Sequence, residues 1–264
     1  MKTYSPTSAA GSIVEAWLGG AWKLREKGDL LNLILHSAKP RDFSEADRAV
    51  MHIVDGYLRG KGKFGLDTVA NTIFPMDLYD ERGQDSLYSR YLQGMPRQRE
   101  QKAGWGRYFE RLIDWPIDDP KTHKRGDPER RTINQLKDVI EKLALYSSTG
   151  SAKANYYQAY ELATFDPRVD RAGNIGRQCL SLIELKPVPT DGGPDTLHMT
   201  AFYRNHYYIS RTLGNMLGLS GLLSFISENA DLTPGTLTIV SSHGELDGPG
   251  AKALIADCKQ TYEE

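Results

Sequence analysis

Residues 209–229 read ISRTLGNMLGLSGLLSFISEN, and this stretch decides the fold. Leu213, Met216, Leu217, Leu219, Leu222, Leu223, Phe225 and Ile226 cover an arc too wide for a helix with one wet face. A helix that is apolar nearly all round must be covered on all sides. The cover is at hand in its neighbours. Residues 180–186 and 197–204 precede it, and 237–240 follow it, each rich in apolar and aromatic residues and bounded by turn signals such as Asp191-Gly192-Gly193-Pro194. The expectation is a long, mostly buried helix over 209–229 packed on a sheet that contains these strands.

Working outward toward the N-terminus, the texture turns helical. Ile13, Val14, Trp17 and Leu18 stand at helical spacing after Ser12, and Gly28-Asp29 stops that helix before the apolar run 30–35. Ser44 opens a second helix whose Val50, Ile53, Val54, Tyr57 and Leu58 share one face. From 77 to 131 no period is sustained, which reads as an irregular excursion with short helical pieces. Thr132 and Gln135 then form a T-x-x-Q capping box before the stripe Ile133, Leu136, Val139, Ile140 and Leu143. Helices first and strands later, without regular alternation, indicate the α+β class with a large mixed sheet.

The chain has 264 residues with 33 Lys and Arg against 34 Asp and Glu, so long-range attraction to nucleic acid or anionic lipid is not expected. At roughly 150 residues per domain, one large domain over 1–264 accommodates this length. No run of about 18 apolar residues occurs, and the opening MKTYSPTSAAGS lacks an apolar core, so no membrane span or signal peptide is expected and the default compartment is the cytoplasm. Two cysteines, Cys179 and Cys258, are too few for a disulfide framework or a cysteine-based zinc site, and no metal site is expected. The phosphate-loop, zincin and nucleophile-elbow signatures are missing, and the glycines of RGKGKFG at 59–65 end a helix rather than lead from a strand into one.

The segment 176–247 carries the candidate chemistry. Cys179 opens one strand and Arg204 ends the next. Asn215 follows Arg204 by eleven residues inside the apolar helix, and Asp231-Leu232-Thr233-Pro234-Gly235 begins sixteen residues after Asn215. This spacing resembles thymidylate synthase, in which a nucleophilic Cys opens a strand, a Q-R-S arginine ends the next, an Asn follows in a helix and a D-L-x-x-G turn comes after it. TINQLKDVIEKL at 132–143 is similar to that family's I-D-Q-[IL]-K-x-V-I-E helix, and YELATFDP at 160–167 to its I-V-S-A-W-N-P strand. GWGRYFER at 104–111 is a weaker echo of G-P-V-Y-G-x-Q-W-R.

The resemblance implies a thymidylate-synthase-like fold, a homodimer pairing its sheets back to back, and a pyrimidine nucleotide or nucleoside as ligand. Cys179 would add to pyrimidine C6, making C5 able to attack a one-carbon electrophile. Arg204 would lower the thiol pKa and fork onto a phosphate, and Asn215 would hold the pyrimidine edge. The sequence also departs from the family. Tyr207 stands where an aspartate follows the arginine, and Arg211-Thr212-Leu213-Gly214 where G-L-P-F precedes the Asn. The stretch 153–160 has no arginine pair. The G-D-T-H-x-Y sugar motif falls on 242–247, with His243, Glu245 and Asp247 as its altered members; two carboxylates there suit the hydroxyls of a ribose. The family implies a reduced folate, yet every folate-side feature is missing or altered.

Each of these residues has a plainer role open to it. Cys179 in an apolar strand suits inert packing, Arg204 among aromatics suits stacking, Asn215 suits a structural hydrogen bond, and the 242–247 loop suits solvent. The leading expectation is pyrimidine binding with possible C5 methyl or hydroxymethyl transfer. The alternative is a catalytically degenerate scaffold or nucleotide sensor in a larger assembly. A nucleic-acid module built on 97–131 is the weakest option.

Overall fold

The apolar helix finds its cover on a mixed sheet. The computed structural model describes residues 3–100, 108–117, 131–149, 157–171 and 178–264. The chain runs β1 (Ser5–Pro6), α1 (Ile13–Lys27), β2 (Leu30–Ser37), α2 (Glu45–Gly60), α3 (Leu66–Ala70), α4 (Gly83–Glu100) and α5 (Tyr108–Ile113). Then come β3 (Trp115–Pro116), β4 (Thr132–Ile133), α6 (Gln135–Thr149), β5 (Glu161–Ala163) and α7 (Pro167–Asp170). The last part is β6 (Leu180–Val188), β7 (Thr196–Tyr203), β8 (His206–Tyr207), α8 (Leu213–Asn229), β9 (Thr233–Glu245) and α9 (Ala251–Glu263).

Strands β1, β2, β9, β7, β6 and β5 lie side by side in that order, and β8 joins the end of β9. β2 and β9, β6 and β7, and β5 and β6 are antiparallel, whereas β7 and β9 are parallel. A parallel pair needs a long crossover, and α8 is that connection. This is an α+β arrangement with a large mixed sheet and a long buried helix packed against β7 and β9.

The close seating of α8 comes from its small residues. A Cβ placed on Gly214 would stand 2.6 Å from Val69 Cβ, and one on Gly218 would stand 2.6 Å from the Ala70 carbonyl oxygen. The glycine face is therefore in direct contact with α3. On the sheet side, Met199, Ala201, Leu237 and Ile239 alternate inward and are fully buried.

The expected start of the chain matches the structure closely. Ser12 Oγ accepts from the Glu15 amide to open α1, and Gly28 ends it at φ 74°, a left-handed conformation open to glycine. Ser44 and Asp47 exchange bonds at the head of α2. Three expectations change. The excursion over 77–131 contains α4, an 18-residue helix; among its described side chains Leu87, Tyr88 and Tyr91 are buried. The T-x-x-Q box does not form. Thr132 and Ile133 pair with Trp115 and Pro116 instead, and Asn134 Oδ1 takes the Lys137 amide at 2.9 Å. Gln135 is drawn into tertiary bonds to the Arg111 and Ala163 backbones. Finally, β9 extends over 13 residues, well beyond 237–240, because β2, β7 and β8 all pair with it.

The weaker motif at 104–111 is described only from Tyr108 onward. The stretch 153–160 is described only from Tyr157, and the basic stretch 121–131 only at Arg131. The remainder of each lies outside the described residues. Among the described residues no helix is long and apolar enough to cross a membrane, and no group of three or more His, Cys, Asp or Glu is arranged to hold a metal ion.

Candidate functional site

The open end of the β6–β7 hairpin, the segment leading into α8 and the α3 region meet around one cleft. It is narrow and lined by Cys179, Tyr207, Asn215, Asn205, His206, Arg211, Tyr108, Val69 and Thr72. Three of the residues singled out from sequence, Cys179, Tyr207 and Asn215, thus share one cavity. The pairing of Leu180 with Tyr203 sets Cys179 directly opposite Arg204, and the Arg204 amide donates to the Cys179 carbonyl at 2.9 Å. Tyr108 Oη accepts from the amides of Cys179 and Leu180 at 3.1 and 3.3 Å, which pins the strand end beside the cleft.

Arg204 itself does not line the cleft. Its guanidinium lies over the Phe165 ring at 5.6 Å from the centroid and donates to the Gln178 carbonyl. Arg211 takes the place inside. It is over the Phe64 ring at 5.4 Å, and burial lowers its pKa while the nearby Tyr108, Asp247 and Cys179 raise it. Burial pushes the Cys179 thiol up, and the charges of Arg204 and Arg211 pull it back. Arg211 lies on the turn Tyr208–Thr212, a single π-type turn of the kind that often marks functional positions.

The altered sugar motif turns inward to the protein. Asp247 Oδ1 accepts from the Ile209 amide at 2.7 Å and the Ser210 amide at 3.3 Å, so it caps the turn that carries Arg211. His243 Nδ1 contacts Asn205 Oδ1 at 2.5 Å, and Asn205 Nδ2 reaches Glu245 Oε2 at 3.4 Å. None of the three is among the residues lining the cleft. His243 and Glu245 support Asn205, which does line it. Glu245 and Asp247, expected as ribose acceptors, engage Asn205 and backbone amides respectively.

Behind Asn215 lies a buried imidazole. His206 is 1% exposed and stacks on Tyr203 with ring centroids 4.0 Å apart at 8°. Asn205, His206 and Tyr108 were not singled out from sequence. A cue was present in Phe202-Tyr203-Arg204-Asn205-His206-Tyr207-Tyr208, where a buried strand end breaks into polar residues.

No family model matches the chain. It is 30% identical over 109 residues to a protein of Methanococcoides burtonii, a match covering 41% of this chain and 44% of that protein. It is 29% identical over 114 residues to a protein of Methanopyrus kandleri, covering 43% of this chain and 48% of that protein. Both carry the name "Putative thymidylate synthase". The chain spans less than half the length of the curated relatives it matches. A distant thymidylate-synthase-like relationship is what these similarities show.

Proposed function

We propose that this chain is a divergent thymidylate-synthase-like protein, one domain over 1–264 with the corresponding fold, whose cleft takes a pyrimidine nucleotide or nucleoside. The observation that carries this reading is the meeting of Cys179 and Asn215 on one cavity beside two guanidinium groups. The similarity to proteins named for thymidylate synthesis points the same way.

In this reading Cys179 Sγ forms a bond to pyrimidine C6, and the C5=C6 electron pair moves toward C5 and the adjoining carbonyl. C5 then bonds a one-carbon electrophile. Loss of the C5 proton and cleavage of the S–C6 bond restore the ring. Asn215 and Tyr207 orient the base, and Arg211 meets an anionic or carbonyl oxygen. The thiol needs the two arginine charges, since burial alone disfavours the thiolate.

The residues present do not fit a reduced folate. The helix after Asp247, α9, packs on α1 and α2 and buries Leu254, Ile255 and Cys258 there, and no residue beyond Asn215 lines the cleft among those described. No step is routed through such a group. A homodimer through the outer sheet face is part of the proposal. Ile34, Val240, Phe202 and Leu182 pair across β2, β9, β7 and β6 in a continuous apolar row that faces away from α8. The degenerate-scaffold reading is favoured by one observation, the burial that raises the Cys179 thiol.

The test is alkylation at neutral pH with and without pyrimidine nucleosides and monophosphates, alongside calorimetric titration of the same compounds. Cys179 is expected to react before Cys258, whose thiol is fully buried and pushed up to about 12, and to be protected by the compound that binds. Equal labelling of both thiols with no binding by any compound would favour the scaffold.

A further inference from the structure

We infer that His198 is an acid-sensitive latch on the outer face of the sheet: its neutral ring accepts the amide that a bulge in β9 leaves over, and acidification frees that amide and drives two copies of the chain apart. The part concerning two copies rests on the homodimer proposed above.

The latch begins in the register of β7 against β9. Leu197 lies opposite Pro234 and Met199 opposite Leu237, so His198 on β7 faces both Gly235 and Thr236 on β9. Two residues against one make a β-bulge. Among the described residues neither Gly235 nor Thr236 has a register partner on β7 or β2. The imidazole fills that gap. The Thr236 amide donates to His198 Nδ1 at 3.1 Å, and Thr236 Oγ1 lies 2.9 Å from the same nitrogen. The bulge lies close against the ring, since a Cβ on Gly235 would stand 2.9 Å from His198 Cε1 and Nδ1.

The direction of this bond fixes the charge state of the ring. A backbone N–H only donates, so Nδ1 carries a lone pair and the single ring proton sits on Nε2. His36 has no such constraint, because its Nδ1 lies 2.9 Å from Thr238 Oγ1 and a hydroxyl either donates or accepts. A proton on His198 Nδ1 would set one N–H against another; the Thr236 hydroxyl could still receive it, but the amide would lose its acceptor. The neighbours also disfavour the charge. His198 pairs with Lys186 on β6, whose Nζ bonds Glu184 Oε2 at 2.5 Å; Glu161 on β5 pairs with Glu184, β9 presents Thr236 and Thr238, and β2 adds His36. Burial and the nearby His36 both lower the His198 pKa. A histidine whose folded pKa is depressed contributes stability that is present above the unfolded value, about 6.5, and lost as pH falls below it.

The latch shares its face with the apolar row Ile34, Val240, Phe202 and Leu182. The next row holds His36, Thr238, Thr200 and Glu184, and the one after it Thr236, His198 and Lys186. An interface of ordinary size, about 800 Å² on each copy, spans all three rows. In an isologous pair both copies gain the charge together, and an imidazolium covered without an acceptor is costly.

The full chain is compared with His198→Asn, whose Oδ1 stands in for Nδ1 as an acceptor that does not titrate. Histidine ¹⁵N spectra, the exchange protection of the Thr236 amide and sedimentation are measured at about pH 7.5 and about pH 5.5, on either side of the ordinary histidine value. Wild type is expected to show His198 as the Nε2–H tautomer at the higher pH, to lose about tenfold or more of the Thr236 protection at the lower, and to pass from dimer to monomer. His198→Asn should keep protection and dimer at both. An Nδ1–H tautomer at the higher pH, unchanged protection in wild type, or an equal loss in His198→Asn would overturn the latch. A wild-type dimer at both pH values, or the same dissociation in His198→Asn, would overturn the control of association alone. A monomer at both would overturn the homodimer and its control together, and the tautomer and the exchange would still decide the latch.

Discussion

Gly218→Ala tests the packing that shapes the cleft. A Cβ at Gly218 would lie 2.6 Å from the Ala70 carbonyl oxygen and 2.9 Å from Ile73 Cβ. The first is a backbone atom that cannot swing aside, so α3 must shift away from α8. Overpacking of this kind costs about 1–3 kcal/mol, and the helix preference of alanine over glycine returns about 1 kcal/mol. The balance is a loss of up to about 2 kcal/mol. Gly56 supplies the contrast: it lies inside α2, exposed, with nothing within 4 Å of a built Cβ. Gly56→Ala feels the helix preference alone and should gain about 0.5–1 kcal/mol. Urea unfolding followed by circular dichroism measures both, provided the denaturant slope is unchanged between variants. Opposite signs are expected. Because Val69 and Thr72 line the cleft beside Ala70, Gly218→Ala should also weaken nucleoside binding. A gain at Gly218 equal to that at Gly56 would refute the direct contact of α3 with the glycine face.

The ion pair of Arg111 with Asp170, whose side chains are 20% and 8% exposed, should make Asp170→Asn lose about 3 kcal/mol at neutral pH. Burial raises the Asp170 pKa, but the bonds from Arg111 and the Asp166 amide outweigh it and hold the carboxyl below its ordinary range. The folded-state pKa being depressed, this stability is present above the unfolded value and lost as pH falls through the folded one. The gap between wild type and variant in urea titrations should therefore shrink below about pH 4. Asp247→Ala removes the acceptor of the Ile209 and Ser210 amides and should cost about 1–2 kcal/mol. Asp247→Asn, which keeps an acceptor oxygen, should restore most of the loss; equal losses in the two variants would show that the cap does not act through that bond.

What could be read beforehand depended on how local its cause was. The helix at 209–229 was legible because its burial is written in its own residues, and the β6–β7 strands because their alternation is intact. The head of α6 was misread because Gln135 has two competing uses; the bonds to Arg111 and Ala163, distant in sequence, win over the local box. The C-terminal half of β9, with its Ser-Ser-His-Gly, has no strand pattern and exists as one because β2 and β8 pair with it. At the site, the family resemblance singled out Cys179 and Asn215, which line the same cleft. It could not show that Arg204 turns onto Phe165, since a side-chain rotamer is set by its surroundings. Nor could it join Ser241 to His206, whose contact depends on β8 lying beside β9.

The charges around Cys179 constrain what each arginine can do. Burial raises the thiol pKa, Arg204 and Arg211 lower it, and Glu245 raises it further. A phosphate held by Arg211 inside the cleft would bring negative charge near the sulfur and cancel the help that guanidinium gives. Arg204 stands outside, stacked on Phe165 and bonded to the Gln178 carbonyl, so its charge stays with the sulfur whatever enters the cleft. In the proposed reading the two roles expected of one arginine are divided: Arg204 would support the thiolate and Arg211 would meet the ligand. A neutral nucleoside leaves both positive charges acting on Cys179, whereas a monophosphate at Arg211 leaves one. The proposed pyrimidine ligand is therefore expected to be a nucleoside, or a nucleotide whose phosphate lies away from Arg211.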